Sequence, residues 1–252
     1  PEQFKYILDA LTEPQRFALI KEKNEDGDTV LHLPVKQPEL FKYILDALTE
    51  PQRVALIKEK NEEGDTILHL AIKQPELFKY ILDALPEPQR VALIKEKNEE
   101  GDTVLDKIFK NSKASQAILE ALPESMRLEI LLTLTRTGKA TFLHQYACNK
   151  PDIFKLVLNL LPEHQYYQAV SAKDIYGAVV PSYVARHVDG LKILAEKIPH
   201  KQLLSLLHED NDQGIDTVYF TISFHPLSSL KQILSFYSEA EYLAMVKTLN
   251  IK

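Results

Sequence analysis

Few residues of this chain have types and spacing suited to chemistry, and those few recur. His32, His69 and His144 stand at one phase of a repeating pattern, a regularity that suits metal ligation or acid–base work. Asp106 and Ser182 occupy that phase in other copies, so a chemical role would be abandoned there. His144 and Cys148 lie four residues apart and would share one helical face. A Cys–His nucleophile needs an activated thiolate and a third group to orient the base, and two ligands alone do not make a zinc site. Beside Tyr146 and Ala147, Cys148 is expected to be a buried, inert thiol. Asp210, Asp212 and Asp216 imitate part of a calcium loop. That loop requires Gly at its sixth position and Glu at its twelfth, whereas Gly214 falls at the fifth and Thr221 at the twelfth. No dinucleotide fingerprint, phosphate loop, nucleophile elbow or H-E-x-x-H is present. The sequence therefore predicts no catalytic residue, no cofactor and no metal, and the chain is read as not an enzyme.

The elements that position these residues come from tandem repetition. Residues 27–63 and 64–100 differ at only four of 37 positions: Val30/Ile67, Pro34/Ala71, Val35/Ile72 and Thr49/Pro86. Residues 1–26 are the tail of a preceding copy, and drifted copies span 101–137, 138–176, 177–213 and 214–252. Six of the seven glycines (Gly27, Gly64, Gly101, Gly138, Gly177 and Gly214) open these copies, and only Gly190 does not. One backbone site per repeat is thus expected to need positive φ or a close approach.

Each copy predicts three helices. Helix A begins after a capping Thr, as at Thr29, Thr66 and Thr103. Helix B begins at Pro38-Glu39 with Pro in the first turn, and Phe41, Ile44, Leu45 and Leu48 form one apolar face. Helix C runs from Pro51 to Lys60, with Thr49 and Gln52 as a capping box and Val54 and Ile57 facing inward. Asn61–Asp65 then turns the chain into the next copy. No two-residue alternation typical of strands competes.

The stretch Gly64-Asp65-Thr66-Ile67-Leu68-His69-Leu70-Ala71 resembles the G-x-T-P-L-H-x-A signature of ankyrin repeats. Two departures stand out. Val30, Ile67 or Val104 replaces the signature Pro, and the unit is 37 residues rather than 33, with helix C filling the difference. The resemblance implies an all-α helical-repeat solenoid of about six and a half units, read as one array over 1–252. It also implies protruding turns, a concave inner face, and a structural role for the box histidines, which bond the Thr and the turn backbone. The near-identical, elongated copies are further similar to ankyrin modules of effector proteins that intracellular bacteria deliver to host cells.

Surface charge points to a partner. The net charge of −6 disfavours generic affinity for nucleic-acid phosphates. One cysteine permits no internal disulfide, which fits the cytoplasm or another reducing compartment, a host cell included. No run of 18 apolar residues would insert into a membrane. The turn tips are acidic in the early copies (Glu62, Glu63 and Asp65, for example), turn basic at Arg136 and Lys139, then become apolar at Ile175 and Tyr176. A second row, Lys36, Lys73, Lys110, Lys150, Arg186 and His225, ends the A helices. The resemblance places that row on the concave face, where it would form a basic groove for an extended acidic segment. Among the C-terminal tyrosines, Tyr167 and Tyr176 are read as surface contacts, whereas Tyr183, at the phase of Leu33, is read as buried. The final helix, opened by Ser238 and Glu241 and ending with Lys247, Asn250 and Lys252, is expected to close the array. At the other end Phe4 and Ile7 would be exposed, which predicts further repeats upstream. The function expected is a monomeric protein–protein interaction module; the alternative is a targeting or regulatory repeat domain of a larger enzyme.

Overall fold

A computed structural model describes residues 2–32, 37–110 and 118–249. Their regular structure is helical, and extended pairing is limited to isolated bridges such as Lys60–Thr66 and Lys173–Val179 at the bases of the turns. None of the described helices is long and apolar enough to cross a membrane. The residues form two compact units, Pro1–Pro123 and Glu124–Lys252.

In the first unit, the B helices are Glu2–Ala10, Pro38–Asp46 and Pro75–Asp83, and the C helices are Glu13–Lys21, Glu50–Ile57 and Glu87–Ile94. Helix A of the 64–100 copy is Ile67–Leu70 continued by a tight turn Ala71–Lys73, and the next is Val104–Lys110. The B helices form where the pattern predicts, because Pro38 and Pro75 sit where no N–H is needed. Phe41, Ile44, Leu45 and Leu48 are all buried, at about 1.5–3 kcal/mol for each large side chain. The Thr49 N–H donates to Gln52 Oε1 at 3.0 Å, closing the expected capping box. Helix C is shorter than expected, ending at Ile57. Leu56 and Ile57 are its buried pair, and Val54 is only half-buried. At 3.6 residues per turn, Val54 points about 110° away from the direction shared by Leu56 and Ile57.

In the second unit, the A helices Phe142–Asn149, Val180–Val184 and Thr217–Phe224 pack in succession. The B helices Pro151–Asn159, Val188–Lys197 and Leu227–Leu234 do the same. Phe142, Tyr146, Phe154, Val157 and Leu194 fill the space between these layers. The C helices are Glu124–Leu131, Tyr166–Val170, His200–Leu207 and Glu239–Leu249.

All six opening glycines have φ between 66° and 77°. At Gly64 the close approach is as real as the dihedral: an added Cβ would lie 2.6 Å from the backbone nitrogen of Glu99 in the following turn.

Further expectations are corrected. Cys148 is half-buried, because it lies in the last turn of its A helix, at the register position of Lys73 and Arg186. Tyr183 is also half-buried, and so is Leu70 at the same register, so this position borders the inner face rather than the core. The last helix keeps its Ser238–Glu241 capping box, with the Ser238 N–H donating to Glu241 at 2.8 Å, and buries Met245. It nevertheless leaves Tyr242 and Leu243 exposed, and Tyr219, Ile222, Phe224 and Leu227 of the same copy are exposed as well. The described part of the last copy therefore exposes large apolar side chains where a polar cap was expected. Tyr219 and Ile222 stand at the register where the buried His144 and Ala147 meet the next copy. Asn250 and Lys252 lie outside the described residues. At the first helix, Ile7 is exposed as expected but Phe4 is half-buried.

Candidate functional site

The turns are built by a side chain that the sequence reading passed over. Three residues before the opening glycine, Asn24, Asn61, Asp174 and Asn211 each accept two backbone N–H bonds within their own turn. Such side-chain turns let the chain reverse without a strand ladder. Successive tips are then joined backbone to backbone: the Glu62 N–H donates to Asp26 O, Glu99 to Glu63 O, Ile175 to Lys139 O, and Asp212 to Tyr176 O, at 2.9–3.1 Å. Within each unit the tips stand in a row, as expected from stacking.

The box histidines are structural. The N–H groups of Thr29 and Thr66 donate to Nδ1 of His32 and His69 at 3.1 and 3.2 Å, and the Thr hydroxyls bond the same nitrogens. His144 repeats the hydroxyl contact at 2.7 Å, and its Nε2 donates to Ala178 O in the next turn at 3.2 Å. Nδ1 must be an acceptor to receive a backbone N–H, which holds the ring neutral. Burial lowers the pKa of all three histidines. Asp106 does the same work with a carboxylate, accepting from the N–H and hydroxyl of Thr103 at 3.0 and 2.8 Å. Asp216 caps the last A helix and also bonds His208, so this member of the calcium-like triplet is committed to structural contacts. Among the described residues no group of three His, Cys, Asp or Glu is placed to hold a metal.

The cationic row falls where the A helices end. Lys73 and Arg186 are exposed there. Lys150 is half-buried between Phe142–Asn149 and Pro151–Asn159, and burial lowers its pKa. His225 is half-buried after Thr217–Phe224, its pKa lowered by burial and then by the charges of Arg186 and His187. Lys36 and the side chain of Lys110 lie outside the described residues. Arg136 and Lys139 are exposed on one turn. Tyr167 is 40% exposed, on a C helix.

Two predicted residues of the second unit, Tyr176 and Arg186, meet at a pocket of about 340 Å³. Turn residues Asp174, Tyr176, Gln213 and Ile215 line one side, and Ser182, Tyr183, Arg186 and Phe220 of the A-helix segments line the other. The Tyr183 hydroxyl donates to Asp174 Oδ2 at 2.6 Å. Burial and that carboxylate raise the pKa of the phenol. Lys73, Lys150, Arg136, Lys139 and Tyr167 do not line this pocket. Sequence reading missed Asp174, Phe220 and Ile215. The signal for Asp174 was its spacing from Gly177, the same as that of Asn61 from Gly64.

No protein-family model and no curated protein matches the sequence. Solved structures do. The ankyrin repeat domain of Bcl-3, a member of the IkappaB protein family, superposes with a TM-score of 0.62 at 15% identity, over 91% of each chain. A chain from the complex of the predatory endopeptidase Bd0816 of Bdellovibrio bacteriovorus with the immunity protein Bd3460 gives 0.54 at 14% identity, over 85% of this chain and 99% of that one. The ankyrin repeat protein EF0377 gives 0.54 at 15% identity, over 85% of this chain and 100% of that one. With the Thr–His boxes, the positive-φ glycines and the stacked turns, these likenesses show that the chain has the ankyrin-repeat fold, built from 37-residue units.

Proposed function

We propose that the chain is a non-catalytic module that holds an extended, acidic segment of another protein against the turn tips and the cationic ends of its A helices. The observation that carries this reading is a cation at the end of helix A in several copies. Lys73, Lys150 and Arg186 occupy the A-to-B junction in copies whose surrounding sequence has drifted. A cation kept at this junction, exposed at Lys73 and Arg186, favours approach by an acidic partner and disfavours a basic one. A structural neighbour taken from a two-protein complex supports a protein partner. We read residues 1–252 as one repeat array acting as a monomer. The elongated near-identical copies support the fuller reading of a bacterial effector that engages a host protein in the reducing cytoplasm of the host cell.

Affinity capture from a eukaryotic lysate, read by mass spectrometry, tests this with the wild type and a Lys73→Glu/Arg186→Glu variant. The wild type is expected to retain a partner that the variant loses at unchanged helical circular dichroism. Capture unaffected by the two reversals overturns the cationic row as the contact. Capture of nothing by the wild type favours a structural spacer.

A further inference from the structure

Resting on the module reading above, we infer that the pocket between Tyr176 and Phe220 is an anchor site for a specific residue pair. One apolar side chain of the partner enters the pocket, and a carboxylate next to it pairs with Arg186. The pocket, at about 340 Å³, lies at the low end for ligand sites. That volume accommodates one large apolar side chain.

Its walls are specific to the last copies. Tyr183 and Phe220 hold the same register position in successive A-helix segments, where earlier copies place Leu70, Lys107 and Gln145. Tyr176 and Ile215 close the opposite side from two successive turns. Aromatic walls of this kind gain from offset or edge contacts with an inserted ring or alkyl chain.

The polar groups decide the rest. Asp174 is the acidic residue of the lining, and its carboxylate is already engaged. Oδ1 accepts from the N–H groups of Tyr176 and Ala178 at 2.8 and 2.9 Å, and Oδ2 accepts from the Tyr183 hydroxyl at 2.6 Å. Those bonds hold the wall in place and leave little acceptor capacity for a guanidinium. Arg186 is exposed at the rim and forms no ion pair with any described carboxylate, unlike Lys173 with Glu209 or Lys155 with Glu196 in the same unit. On a chain of net charge −6 this is a local cationic rim beside an apolar cavity. A planar guanidinium fork matches a carboxylate in two hydrogen bonds and repels an ammonium.

Three small probes separate the parts: 3-phenylpropionate, 3-phenylpropan-1-ol and 3-phenylpropylamine. They share a ring and a tether and differ in the end group. Each is titrated, in the millimolar range, into the full chain carrying ¹³C-labelled isoleucine methyls, with the Ile215 signal assigned by Ile215→Val. The Ile215 methyl is expected to move saturably with the acid. It should respond about tenfold more weakly to the alcohol and least to the amine. Arg186→Gln, an exposed substitution, should bring the acid down to the level of the alcohol. Tyr176→Ser should weaken the acid and the alcohol together. An Ile215 methyl that ignores all three probes, or that answers acid and amine alike, overturns the anchor. Lysate capture that survives Arg186→Gln while probe binding is lost overturns it as well, and leaves the module reading standing.

Discussion

Two glycines with the same dihedral should respond very differently to one methyl group. Gly64 and Gly214 have φ of +71° and +70°. Replacement by Ala forces a left-handed conformation at either site, at roughly 1–2 kcal/mol. At Gly214 nothing lies within 4 Å of the new Cβ, so that is the whole effect. At Gly64 the Cβ would fall 2.6 Å from Glu99 N and 3.1 Å from two backbone carbons of Asn98. Backbone atoms yield only if the turn recedes. Overpacking there costs about 1–3 kcal/mol. The 3.0 Å bond from the Glu99 N–H to Glu63 O is lost with it, worth about 0.5–1.5 kcal/mol. Gly64→Ala should therefore destabilise by roughly 2.5–6.5 kcal/mol and Gly214→Ala by roughly 1–2. Urea unfolding followed by circular dichroism measures both. Amide hydrogen exchange supplies a local readout: Glu99 should lose protection in Gly64→Ala, while Asp212, bonded to Tyr176 O, should not. Equal destabilisation of the two variants, or an unchanged Glu99 amide, would refute the claim that turn-to-turn contact fixes the glycine phase.

Other perturbations follow from the buried polar groups. Asp65 is 2% exposed and holds Lys107 Nζ at 2.6 and 2.8 Å and Asn98 Nδ2 at 2.8 Å. Lys107→Met strands that carboxylate and should cost about 2–4 kcal/mol, at the low side for a buried pair because Lys107 keeps partial solvent access; a melt within about 0.5 kcal/mol of wild type would contradict it. The pKa values of His32, His69 and His144 are lowered in the folded chain, chiefly by burial. The unfolded chain then binds more protons, so the stability they support is complete above about pH 6.5. It falls as the pH drops from there through their lowered values, by up to about 1.4 kcal/mol per pH unit for each histidine. Urea midpoints that stay flat between about pH 7.5 and 5 would remove that linkage. His225 is depressed by burial and next by Arg186. Arg186→Gln should therefore raise its pKa in an NMR titration, and an unchanged value would place the guanidinium elsewhere.

Much of the fold was legible because one sequence feature served one structural need. A glycine every 37 residues had to mean a repeated backbone requirement, and Thr49 with Gln52 had to mean a helix start. The site was less legible. Helix A is apolar on two sides, one toward the core and one toward the inner face, and periodicity cannot separate them. Tyr183 was consequently read as core and Phe220 passed unnoticed, although both line the pocket. The same ambiguity hid the end face, since Tyr219 and Ile222 carry the register of buried positions while nothing described covers them. Arg186 and Tyr176 were found because charge and exposure at a turn admit fewer readings than an apolar residue does. Their convergence on one pocket depends on the Asp174 turn, whose geometry arises only in the folded chain.

The central claim is that the last copies hold the partner through the Tyr176–Arg186 face. Hydrogen–deuterium exchange of the chain, alone and with its captured partner, tests it directly. Protection should appear over residues 174–186 and 211–220. Protection confined to the C helices His200–Leu207 and Glu239–Leu249, or absent from 174–186, would contradict it.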